Sequence, residues 1–220
     1  MINEIGMETV GVGTGLEIFR AYADRFQDVL KKIPFEAVAR LAVAVREAWI
    51  DKRQVFLCGN GGSAGNANHL ANDLIYGIAK DGLGVRAHSL SANPSVITCL
   101  ANDVSYPEIF SCQLRVLARP GDLLVVFSGS GNSPNIVSAV KTAREMGMVT
   151  CGILGYSGGS CLELVDIPIH FAINDMQVSE DMQLVVGHMV MQWLCENPRT
   201  QRPSSEAESR KESGMAQGVR

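Results

Sequence analysis

The chain has no excess of basic residues: 19 Lys and Arg stand against 23 Asp and Glu, a net charge of −4. With no basic stripe, nucleic acid is excluded as the main ligand. No apolar run approaches the ~18–20 residues needed to cross a bilayer, which excludes a spanning segment. The opening MINEIGMETVGVGTG carries two acids and no base, so it does not read as a secretory signal. The six cysteines (Cys58, Cys99, Cys112, Cys151, Cys161, Cys195) include no C-x-x-C spacing, and several lie in apolar runs such as VFLCGN and VTCGILG. They read as core thiols, not as a disulfide frame or a zinc knuckle. A reducing compartment follows, and the cytoplasm is the expected location. Charged residues reach only 19% while hydrophobic ones reach 46%, which excludes general disorder.

What is there is a β/α alternation behind a helical N-terminus. Residues 14–32 place Ile18, Phe19, Tyr22, Phe26, Val29 and Leu30 at helical spacing, Pro34 breaks the pattern, and a second amphipathic helix is expected over 35–51. The pair reads as a packing or oligomerisation arm over 1–52. Strands are expected at 55–59, 85–90, 122–130, 149–155 and 166–172. Helices are expected over 63–78, 95–102, 109–118, from Pro134 to about Met146, and from about Ser179 to Cys195. Alternating strands and helices imply an α/β fold, a parallel sheet with helices on both faces in three layers. Met182, Met189 and Met191 on the last helix suggest an apolar face at a subunit contact. From residue 197 the composition turns polar, and 197–220 reads as a disordered tail.

Two loops stand out. The first, C-G-N-G-G-S-A-G at 58–65, joins a strand to a helix. Its glycines, with Gly61 and Gly62 central, let backbone approach a ligand, and the helix start offers N–H groups to an anion. No Lys-Ser/Thr follows, so it is not a Walker A loop. As a dinucleotide fingerprint it lacks the acid expected at the end of the second strand, which reads His88-Ser89-Leu90-Ser91. The second, F-S-G-S-G-N-S-P-N at 127–135, is again strand, loop, helix, with Ser133 as the N-cap and Pro134 at the first helical position. Hydroxyls of Ser128, Ser130 and Ser133, with Gly129 between them, suit a phosphate monoester carried by a small molecule. Two such loops at strand C-termini in one parallel sheet converge on the usual ligand crevice.

His69 and Asp73 are four apart on one helix, and Glu180 and His188 are eight apart on another. Two imidazoles and two carboxylates make a divalent-metal set. Spacing alone is met at least as well by a packing histidine and solvated acids.

C-G-N-G-G-S before a helix with His69, then Asn102-Asp103, then S-G-S-G-N-S-x-N, resembles the sugar isomerase (SIS) domain, on its phosphoheptose isomerase branch. The resemblance covers residues 53–196, and the helix pair before them also fits that branch. It implies a five-stranded parallel sheet, a homotetramer with shared active sites, and isomerisation of sedoheptulose 7-phosphate to an aldoheptose 7-phosphate. It implies phosphate on Ser63, Ser128, Ser130 and Ser133, and sugar contacts from Asn60 and Asp103. It also makes His69, Asp73, Glu180 and His188 a zinc or other divalent-metal site, with Asp73 or Glu180 as base and His188 as acid. Asp73 replaces a Glu of the family, Glu180 a Gln, and Gly77 an arginine found in some heptose isomerases. The other reading is a non-catalytic SIS protein that binds phosphosugars or a protein partner such as a replication initiator.

Overall fold

The computed structural model describes residues 12–78 and 83–199. Helices α1 (Val12–Leu30) and α2 (Phe35–Ile50) precede β1 (Gln54–Gly59). Then follow α3 (Gly62–Asn72), β2 (Arg86–Ser89), α4 (Pro94–Asp103), α5 (Ser111–Leu117) and β3 (Leu123–Ser128). The chain continues through α6 (Pro134–Glu145), β4 (Val149–Leu154), α7 (Gly159–Leu164), β5 (Ile167–His170) and α8 (Met176–Glu196). The five strands form one sheet in the order β2-β1-β3-β4-β5. Every pairing is parallel.

The inner strands β1 and β3 are apolar almost along their whole length because both faces are covered, whereas the edge strand β2 carries Arg86, His88 and Ser89, and alternate residues go to opposite layers. Val55 and Leu57 of β1, with Val125 and Phe127 of β3, pack under α2, α3 and α8. Phe56 and Cys58, with Leu124 and Val126, pack under α5, α6 and α7. Three of the cysteines, Cys58, Cys151 and Cys161, are buried, and all six are free thiols. Burial pushes the thiols of Cys58 and Cys151 well above their ordinary range.

Several expectations shift on folding. Helix α2 buries Val38, Leu41, Ala42, Val45, Ala48 and Trp49, so it is a layer of the sandwich as much as part of an arm. Met182 is fully buried within the chain and belongs to the core, not to a surface; Met189 and Met191 only pack against that core. Helix α8 starts three residues before the expected Ser179, because the Asp175 carboxylate accepts the N–H of Val178 as its N-cap. The helix expected over 63–78 widens into a π-helical turn at Asp73–Gly77. The polar tail expected over 197–220 lies outside the described residues from 200 onward. Helix α1 is tied to α8 by the Tyr22 hydroxyl donating to Asp181 and by Arg25 pairing with Asp175 at 3.0 Å. Burial and the facing Asp181 carboxylate push Tyr22 up to about 12. Among the described residues no helix is long and apolar enough to cross a membrane.

Candidate functional site

The strand order places the site. Residues leave β1 toward one edge and β3 toward the other, so their C-terminal loops part and leave a crevice at the point where the order reverses. The two loops picked out in the sequence meet there. Asn60, Gly61, Gly62 and Ser63 line one side of the crevice, and Ser128, Gly129, Ser130 and Ser133 the other, around about 260 Å³. Asp103 is not on that wall: it is exposed at the end of α4, where it accepts from Asn102 and Cys99.

Local geometry turns the hydroxyls into donors. Ser128 Oγ accepts the Gly131 N–H at 3.0 Å, and Ser130 Oγ accepts the Asn132 N–H at 3.2 Å. Ser63 Oγ accepts from Gln183 Nε2 at 3.0 Å. With these oxygens already accepting, each hydroxyl proton is left to donate to an anion. Ser133 does stand at the N-cap of α6, yet its hydroxyl makes no capping bond; its carbonyl takes the Ile136 and Val137 N–H groups at 3.0 Å. Gly61 caps α3 at φ +56° and has no side chain to spend on the helix start. The N-terminus of α3 therefore offers N–H groups to the crevice, whereas at α6 Pro134 has none and those of Ile136 and Val137 are taken, so that loop contributes hydroxyls.

Asn60 is held by a side chain that the sequence reading missed. Asn60 and Asn135 exchange two amide bonds at 2.9 and 2.8 Å, and the Tyr106 hydroxyl adds a third bond to Asn60 Oδ1 at 3.2 Å. Asn135 is fully buried, and one Nδ2 proton of Asn60 stays available. The signal was present: Asn135 ends the second loop motif, just after Pro134. Gln183, 1% exposed, was also missed, since it lies on a helix far along the chain.

Helices α3 and α8 run side by side. The carboxylate of Glu180 lies where a Cβ on Gly62 would stand; Asn66 bonds the Glu180 carbonyl and Gln183, each at 2.9 Å; Leu70 fills the space over Gly187. One turn farther, His69 Nε2 and His188 Nε2 are 3.0 Å apart, and Asp73 Oδ2 is 3.2 Å from the first and 3.6 Å from the second. All three ligand atoms lie within 4.8 Å of one another. Ligand atoms around a tetrahedral ion with bonds of about 2.0–2.1 Å stand roughly 3.3–3.4 Å apart, so the triangle fits a metal. Nitrogen and oxygen without thiolate suit zinc, manganese, iron or nickel.

Glu180 is not in that group. Eight residues along one helix put it about 12 Å from His188, on nearly the same face but two turns away. It lines the crevice instead, and is the one charged residue there among those described. At Gly77 a Cβ would meet Met191 Cε at 2.8 Å, a flexible side-chain end that can move aside.

The chain is similar to proteins of one family. The family model described as SIS domain matches residues 19–155. Phosphoheptose isomerase of Maridesulfovibrio salexigens is 33% identical over 175 residues, covering 80% of this chain and 82% of that protein. The protein of the same name from Trichlorobacter lovleyi is 37% identical over 153 residues, 70% of this chain and 78% of its own. The structure of phosphoheptose isomerase GmhA from Neisseria gonorrhoeae superposes with a TM-score of 0.77 at 27% identity, over 84% of this chain and 98% of that one. That of a phosphoheptose isomerase from Francisella tularensis superposes with 0.78 at 24% identity, over 83% and 98%, a likeness of fold.

Proposed function

The chain belongs to the SIS domain family, and from that premise we propose that it is a phosphoheptose isomerase, interconverting sedoheptulose 7-phosphate and D-glycero-D-manno-heptose 7-phosphate. The observation that carries the reading is the pairing of a serine- and glycine-lined crevice at the start of α3 with the His69–Asp73–His188 group at the end of the same helix. The first suits a sugar's phosphate and the second the proton transfers at its carbonyl end.

The phosphate is held by the hydroxyls of Ser63, Ser128, Ser130 and Ser133 and by the backbone at Gly61, Gly62 and Gly129, which fixes the far end and orients the sugar. Asn60 offers its free amide proton to a sugar hydroxyl, and Asp103 is kept as a sugar contact from the family pattern. With Asp73 Oδ2 and His188 Nε2 as the atoms that face the would-be metal, Asp73 Oδ1 takes the proton from C1 and returns it at C2, while His188 Nδ1 moves the proton between the two oxygens, through an enediol. Asp73 is the better base than Glu180, because it stands 3.6 Å from His188. Glu180 belongs to the crevice end, where a carboxylate in place of the family's amide disfavours a fully charged phosphate close by. His69, Asp73 and His188 are the residues that would hold a divalent metal, with zinc as the best match. Such an ion would polarise the substrate carbonyl.

The test is conversion of sedoheptulose 7-phosphate in deuterated water, followed by proton NMR. Aldose appearing with solvent deuterium at the transferred position is expected. Tight binding without turnover would favour the non-catalytic reading, against which the intact His69–Asp73–His188 group and the catalytic relatives count.

We also assign the protein to a homotetramer in the cytoplasm. Ile18 and Phe19 of α1 are 68% and 69% exposed in the single chain, an apolar stripe that a partner would cover. Ile18→Glu with Phe19→Glu, which disturbs no buried contact, is expected to give a smaller species in light scattering. An unchanged tetramer would take α1 out of the interface.

A further inference from the structure

The opposite end of the sheet carries a second pocket of different chemistry. It lies at the N-terminal ends of β1, β2 and β3, and encloses about 260 Å³ among Lys52, Arg53, Arg86, Arg119 and the buried Asp122. Strands of six residues separate it from the serine crevice by about 20 Å. Four cations around one cavity are unusual in a chain whose net charge is −4.

The acids near this pocket are already engaged. Both Asp122 oxygens accept backbone N–H groups, from Gln54 and from Arg119, each at 2.8 Å. Asp51 pairs with Arg53 at 3.0 Å. Arg86, which lines the pocket, donates to the Lys52 carbonyl at 3.2 Å, and Arg53 donates to the Gly121 carbonyl at 3.3 Å. Lys52, Arg86 and Arg119 have no carboxylate partner among the described residues.

Lys52 also occupies a costly backbone position. It follows the C-cap of α2 with φ +57°, and the next N–H, that of Arg53, reaches back to the Ala48 carbonyl at 2.8 Å. That is the helix-ending turn where glycine is the usual residue. A lysine there trades backbone ease for a cation at the pocket.

We propose that this pocket is a second anion site, built for a ligand that carries two linked phosphate groups. One phosphate would satisfy Lys52 and Arg86, and the second Arg119, with Arg53 held beside it by Asp51. The wall offers Leu117 and Pro120 but no aromatic ring, so the phosphates are read and a base is not. Free pyrophosphate and a nucleoside diphosphate share this chemistry.

Calorimetry on the full chain at low ionic strength tests it, with inorganic phosphate, pyrophosphate and ADP as probes. Pyrophosphate is expected to bind, ADP to bind within a few-fold of it, and single phosphate more weakly. Arg86→Gln with Arg119→Gln is expected to lower pyrophosphate affinity at least about tenfold, since each removes hydrogen bonds to a charged group. Lys52→Gly is expected to lower it as well while the melting temperature holds or rises, so misfolding cannot explain the loss. Ser130→Ala with Ser133→Ala, in the other crevice, is expected to leave it unchanged. Equal affinity in wild type, the arginine pair and Lys52→Gly overturns the proposal, as does loss only in the serine pair. Single phosphate binding as tightly as pyrophosphate overturns the two-phosphate reading.

Discussion

His188→Ala is expected to lower kcat by about 10²–10⁴-fold, the usual worth of a positioned acid or base, and to strip bound metal from protein purified without chelator. The two losses come together because one imidazole nitrogen faces both His69 at 3.0 Å and Asp73 at 3.6 Å. Alanine leaves His69 and Asp73 as a two-ligand remnant. Asp73→Asn separates the roles: the amide oxygen still faces the imidazoles but is a poor proton acceptor, so kcat falls further than metal content. Elemental analysis beside steady-state kinetics reads both. Full turnover by His188→Ala would remove the acid–base assignment. Full turnover by the wild type in chelator, with no stoichiometric metal, would leave the cluster as a plain acid–base group.

Ser130→Ala with Ser133→Ala is expected to weaken sedoheptulose 7-phosphate binding by roughly 100-fold or more. Hydrogen bonds to charged groups are each worth about 1.5–3 kcal/mol, and two are lost. Among the described residues the crevice has no lysine or arginine to compensate: beside Phe127 and Met176 its lining is hydroxyl, amide, glycine and one carboxylate. Turnover at saturation is expected to fall too, because the phosphate grip also orients the distant carbons. Neither hydroxyl is needed by the fold: Ser133 makes no capping bond, and Ser130 Oγ accepts only the Asn132 N–H. Calorimetry on the two forms decides it. Equal affinity would place the phosphate elsewhere.

Where interactions are local, the residues announced the result. The apolar runs at 55–59 and 149–155 became β1 and β4 because a strand buried on both faces needs no other pattern. Both loops were legible because glycine and serine between a strand and a helix serve one local purpose, leaving backbone and hydroxyls free for an anion. The i, i+4 spacing was likewise enough to put His69 of α3 and Asp73, the first residue of the turn that continues it, on one face.

Contacts between distant segments were decided only by the tertiary structure. Gln183 reaches Ser63 across 120 positions, and Asn135 reaches Asn60 across 75, and neither pairing has a local pattern. Helical periodicity reports face and height within one helix but not which residue of another helix stands opposite. Spacing puts Glu180 and His188 two turns apart on nearly one face, and only the structure shows that the helix partner at that second height is His69, so that Glu180 stays outside the group. Gly187 shows the converse: an ordinary glycine in sequence, it lets Leu70 close on α8 and so brings His69 to His188. The strand order β2-β1-β3-β4-β5 belongs to the same class. No single segment encodes it, because it follows from how all five strands share one sheet, and it is what opens the crevice between β1 and β3.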